Sequence, residues 1–189
     1  MIKLIDDGID RFSKYLTNRN DLDHITYLKL KLGIQTLINN ILKGIVVYSI
    51  SIFSGLFFYT LTVHLSFVLI KTFAHGAHAK SALQCHLLNF CLFIVMPWLI
   101  VYNNINYAIL LAFSALSFIF LSLYAPAATL KQPVPSSKRK SKKLISLILA
   151  ILLIFLSINL NEPFNKLILL GIIFIGFSQL PIFLTKEEN

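Results

Sequence analysis

The chain has 189 residues, of which 57% are hydrophobic and only 13% charged, with a net charge of +9 and a mean hydropathy of +0.77. Soluble domains carry roughly 45 to 50% apolar residues, so a water-soluble core in so short a chain has nowhere to hide this much apolar surface. The basic residues flank apolar runs and do not line a soluble face with aromatics between them, which is the positive-inside pattern of a membrane protein and argues against nucleic acid as a partner.

Residues 2–16 place Ile2, Ile5, Ile9, Phe12 and Leu16 at helical spacing with charged residues between them, as in an amphipathic helix lying on a membrane surface. The stretch carries Asp6, Asp7 and Asp10 and lacks an apolar core, so no cleavable signal peptide is expected. A polar turn at 18–23 follows, and a second helical pattern begins near His24. From Leu32 to Ile70 the chain is apolar apart from Lys43 and His64, with Ser54-Gly55 as the natural break. A helix of that length would run nearly 60 Å, against a hydrocarbon core of about 30 Å, so the stretch predicts a hairpin of 34–53 and 56–70. Lys43 strains the first member, because a charge near a span centre costs about 2.5 to 3.5 kcal/mol on insertion scales.

Four more apolar segments follow at 86–102, 105–124, 144–160 and 163–184. The expected fold is therefore an all-α, polytopic membrane helical bundle of about six spans, organised as one membrane-embedded domain over 1–189. Pro97 and Pro181 should kink or end their segments. The loop 125–143 holds six Lys or Arg and is expected on the cytoplasmic side; parity then puts the loop 71–85 and both termini there too. The cluster from Lys138 to Lys143 would also meet anionic membrane lipids.

One segment is chemically loaded. Between residues 75 and 86 stand His75, His78, Cys85 and His86. A cysteine becomes a nucleophile when an imidazole takes its proton, since a thiol pKa of about 8.5 leaves little thiolate at neutral pH. His78 and Cys85 are the natural pair, but on a continuous helix seven residues separate them by about 10 Å, beyond hydrogen-bond reach. A catalytic pair thus requires the segment to bend, for which Gly76 and Ser81 are candidates. The residues alone leave two other readings open: interfacial histidines beside a small apolar cysteine, or a metal site from His75, His78, Cys85 and His86. Cys91, inside an apolar run, reads as a buried structural thiol, His64 as a hydrogen-bonded intramembrane histidine, and His24 as a surface residue. The two cysteines are six apart, so CxxC chemistry is absent and a disulfide framework is not expected.

The stretches Arg19-Asn-Asp-Leu-Asp-His-Ile, Ala74-His-Gly-Ala-His-Ala, Tyr124-Ala-Pro-Ala-Ala-Thr and Leu180-Pro-Ile-Phe, in this order and over this length, resemble the accessory gene regulator B (AgrB) family. The resemblance implies a membrane cysteine endopeptidase of bacterial quorum sensing that trims the C-terminal part of a small precursor peptide, AgrD, and helps close its thiolactone ring. By motif position, His78 resembles the family's catalytic histidine and Cys85 its catalytic cysteine; no third member of the site is assigned, and no cofactor or metal is implied. Lys71-Thr-Phe stands where other members commonly have two arginines and a histidine. The expected partners are an AgrD-like precursor peptide and anionic membrane lipids, with a homodimer left open. A peptide exporter and a metal-binding membrane protein are the rival functions.

Overall fold

In the computed structural model, residues 3–77, 82–127 and 134–183 are described. They form helices α1 (Lys3–Arg19), α2 (His24–Phe53), α3 (Phe57–Ala74), α4 (Ala82–Phe90), α5 (Met96–Tyr102), α6 (Tyr107–Tyr124), α7 (Ser136–Asn159) and α8 (Phe164–Phe177), with a π-helical turn at Cys91–Val95 and a 3-10 turn at Pro181–Phe183. The contacts divide the chain into two compact units, Met1–Ser49 and Ile50–Asn189.

In the first unit, α1 is the expected amphipathic helix. Asp23 caps α2, its Oδ1 accepting from the Thr26 N–H at 3.3 Å in the manner of an N-cap carboxylate. One carboxylate ties α1 to α2: Asp10 accepts from Lys14 at 2.7 Å, from the Tyr27 hydroxyl at 2.6 Å and from Lys31. These donors, Lys14 foremost, hold the Asp10 carboxyl well below the ordinary carboxylate range. The span expected at 34–53 is the last two thirds of an unbroken helix of 30 residues.

The second unit has its polarity reversed relative to a soluble protein. Ser66, Ser114, Ser117, Ser146 and Ser157 are buried, whereas Phe58, Leu65, Ile119 and Phe155 face outward. This suits helices packed against each other through small residues in a lipid solvent. Helix α8 lies at the centre, against α3, α6 and α7, with Leu167–Ile172 and Ile175 buried. Two glycines let its neighbours approach: a Cβ on Gly171 would stand 2.7 Å from the Ser66 Cβ of α3, and one on Gly176 would stand 2.3 Å from the Ser117 Cβ of α6. Its 14 residues reach only about 21 Å, tolerable because protein and not lipid surrounds it.

Among the described residues, five helical stretches are long and apolar enough to cross a membrane: His24–Phe53, Phe57–Ala74, Leu83–Tyr102, Tyr107–Tyr124 and Ser136–Asn159; Phe164–Phe177 is a shorter apolar helix. The chain is a polytopic helical membrane protein. The break at Ser54-Gly55 falls where expected, with Gly55 at φ 69°, a left-handed value that favours glycine. Several boundaries move. Helix α3 continues four residues past Ile70, and α4 opens at Ala82, so the loop expected at 71–85 is helical at both ends. The basic residues 138–143 sit on α7 and not in a loop. The last helix stops at Phe177, short of Pro181.

Pro97 acts as anticipated, through a specific device. Proline has no N–H for the carbonyl four residues earlier, which is that of Phe93; the backbone passes through the π turn at 91–95, and the buried Thr60 hydroxyl of α3 donates to the Phe93 oxygen at 2.7 Å. A hydroxyl from a neighbouring span thereby satisfies the carbonyl that proline would otherwise orphan in lipid.

Candidate active site

The chemically loaded segment starts where α3 ends. His75 has φ 59° and Gly76 φ 115°, which stops the helix and turns the backbone into a short extended stretch. This stretch is held on several sides. The Ala127 N–H donates to the Ala74 oxygen at 3.0 Å, and the Gly76 N–H to the Ala127 oxygen at 3.3 Å, a two-rung parallel bridge between His75 and Ala127. The Ala77 N–H donates to the Ser178 oxygen at 2.9 Å. Gln179, fully buried, closes the clasp: its Nε2 donates to the His75 oxygen at 3.2 Å, and its Oε1 accepts from the Ala127 N–H at 3.3 Å. Packing around Gly76 is tight enough that a Cβ would lie 2.6 Å from the Ser178 Oγ and 2.7 Å from the Gln179 Nε2.

Side chains complete the environment. Lys142, from the basic first turns of α7, lies 2.7 Å from the His75 Nε2, a geometry in which the ammonium donates to the ring nitrogen. Lys71 makes a long hydrogen bond of 3.5 Å to the Ala77 oxygen, stands over the Phe67 ring at 5.1 Å, and is close enough to Cys85 to interact with it electrostatically.

Cys85 is in the first turn of α4, half-buried and not in a disulfide. His78 lies outside the described residues, as does Ser81, so the separation of the proposed pair is not part of the description. The chain does turn at His75 and Gly76, so α3 and α4 do not form one continuous helix. His86 is exposed on α4. Among the described residues no three His, Cys, Asp or Glu side chains gather as a metal ion would need.

Two sequence expectations need correction or refinement. Cys91 is exposed and not buried; it stands four residues after Leu87, on the same outward face. His64 packs against Phe93 with ring centroids 4.7 Å apart. The clasp residues Ala127, Lys142, Ser178 and Gln179 were not singled out by composition or spacing. Two of the stretches that carry the resemblance do touch them: Tyr124–Thr129 contains Ala127, and Leu180–Phe183 begins one residue after Gln179.

The accessory gene regulator B family model matches residues 9–179. Proteins named accessory gene regulator protein B are similar along nearly their whole length. The one from Staphylococcus epidermidis is 48% identical over 187 residues, 99% of this chain and 96% of that protein. The one from Staphylococcus saprophyticus is 45% identical over 188 residues, covering all of both chains. The one from Staphylococcus aureus is 44% identical over 183 residues, 97% and 98% of the two. No solved structure matches. A family model that matches residues 9–179, joined to relatives 44 to 48% identical along nearly the whole chain and to a polytopic helical fold, makes this chain a member of the accessory gene regulator B family.

Proposed function

We propose that the protein is a membrane cysteine endopeptidase of quorum sensing, which cleaves an AgrD-like precursor peptide through Cys85 and His78 and promotes closure of the product's thiolactone. The observation that carries this reading is the clasp: a buried glutamine, a glycine at positive φ and a lysine–histidine contact hold the three residues that precede His78, and Cys85 lies in the first turn of the next helix. Immobilising backbone at this cost is characteristic of a site that must hold reacting groups in register.

In the first step His78 takes the proton of the Cys85 thiol, and the sulfur attacks the carbonyl carbon before the precursor's C-terminal tail. Backbone amides near Cys85 receive the developing oxyanion. The C–N bond then breaks, and His78 returns its proton to the departing amine, leaving an acyl thioester on Cys85. A cysteine of the precursor gives its proton to His78 and attacks that thioester; Cys85 leaves as thiolate and recovers the proton. One thioester replaces another, so the exchange is nearly isoenergetic and keeps the activated carbonyl. Water would destroy it by hydrolysis, which favours a site at the membrane boundary. The loop and both termini are assigned to the cytoplasmic face by the distribution of Lys and Arg.

Co-expression with the precursor tests the reading. Cys85→Ala and His78→Ala should abolish cleavage while the protein still inserts, and Cys91→Ala should cleave normally. An active Cys85→Ala with an inactive Cys91→Ala would move the nucleophile.

A further inference from the structure

At the end of the second unit opposite Cys85, the first turn of α3, the turn between α5 and α6, and the start of α8 enclose a cleft of about 390 Å3, lined among others by Tyr59, Tyr102, Asn104, Glu162 and Lys166. Lys166 is unusual there. It is only 4% exposed, and among the described residues its ammonium is paired with the Oε2 of Glu162 alone, at 2.7 Å. An ammonium has three N–H donors, so two remain for other acceptors. Glu162, by contrast, is 61% exposed at the side chain.

Stability does not account for this pair. Lys166 is in the first turn of α8, where the helix dipole disfavours a cation. A carboxylate standing mostly in solvent offsets little of the cost of burying the charge. The cleft's other polar side chains, the Asn103 and Asn104 amides and the two tyrosine hydroxyls, each carry a donor, although the Asn103 amide already donates to the Leu99 oxygen, and Glu162 is the one lining carboxylate among the described residues. A buried cation with open donors, in a donor-rich cleft much larger than a single carboxylate, fits an anion with several acceptor oxygens.

We propose that this cleft binds a phosphate oxyanion, carried by an anionic lipid headgroup or as free phosphate, with Lys166 as its charge partner and Glu162 as the internal carboxylate it displaces. The proposal is independent of the peptidase reading, because none of these residues touches the Cys85 segment.

The test uses the full chain in detergent micelles. Thermal midpoint and lipid retention by native mass spectrometry are followed on titration with phosphatidylglycerol, with phosphatidylcholine, and with inorganic phosphate against chloride at equal ionic strength. Lys166→Gln should weaken binding about tenfold or more, the loss expected for a charge-assisted contact. Glu162→Gln should tighten it, because the competing carboxylate is gone, and should leave precursor cleavage unchanged. A response to phosphatidylglycerol alone identifies lipid as the source, and a response to inorganic phosphate identifies the free anion; either supports the site if Lys166→Gln loses it. Equal binding by wild type and Lys166→Gln, or weaker binding by Glu162→Gln, overturns it. Should Lys166→Gln fail to fold, the sign of the Glu162→Gln effect decides the question.

Discussion

Replacing Thr60 with valine isolates the hydroxyl that repairs the proline break. The two side chains have nearly the same shape, and Thr60 is fully buried, so the change opens no cavity and removes only the donor to the Phe93 oxygen. A buried acceptor left without a partner costs about 1 to 3 kcal/mol, while side-chain hydrogen bonds between membrane helices contribute about 0.6 kcal/mol on average and up to about 1.7. Because Pro97 denies this carbonyl its ordinary helical donor, the upper part of the membrane range applies, and Thr60→Val should lose about 1 to 1.5 kcal/mol. That corresponds to roughly a five- to tenfold change in the folding equilibrium. Trp98, the one tryptophan of the chain, adjoins the break and reports unfolding by its fluorescence during titration with sodium dodecyl sulfate in mixed micelles. In a Pro97→Ala background residue 97 regains an N–H, so the same substitution should cost clearly less, and the double-mutant cycle measures the difference. An unchanged midpoint for Thr60→Val, or an equal loss in both backgrounds, would refute the assignment of Thr60 as the compensating donor.

Gly76→Ala should abolish or severely reduce precursor cleavage without preventing insertion, measured by product mass and membrane content. Its Cβ meets Ser178 and Gln179 at 2.6 and 2.7 Å, and a φ of 115° adds strain of order 1 to 3 kcal/mol; normal cleavage would show that the clasp does not govern the site. In the N-terminal unit, the lowered pKa of Asp10 makes the α1–α2 contact present above the unfolded carboxyl value of about 3.9 and progressively lost as pH falls from there toward the lower folded value. Limited proteolysis at the 20–23 turn should accelerate on acidification in wild type, and Asp10→Asn should be cleaved at one rate across the same range.

The spans were legible because lipid demands long apolar runs, and the hairpin break at Gly55 because a left-handed turn favours glycine. Lengths misread at charged residues had a common cause: Lys71 and Lys138 to Lys143 mark where the chain meets water, but helical hydrogen bonding does not stop there, so α3 and α7 run on through them. Cys91 was assigned to the interior because it lies in an apolar run, but in a membrane helix an apolar run clothes the outward face as readily as the packed one. His78 and Cys85 stood out through local spacing and through resemblance. Ala127, Lys142 and Gln179 are separated from His75 by 52 to 104 positions, and nothing in a single sequence records which distant carbonyl a buried amide will meet.

The clasp sets an order on biogenesis. The Gln179 amide reaches a carbonyl 104 residues upstream of it, so a nascent chain that has already inserted α3 and α4 still carries the segment ahead of His78 unrestrained. Only when α8 has threaded between α3 and α6 does the amide arrive. On the proposed peptidase reading, competence should therefore switch on late, after assembly, so that a half-built chain does not cut peptides.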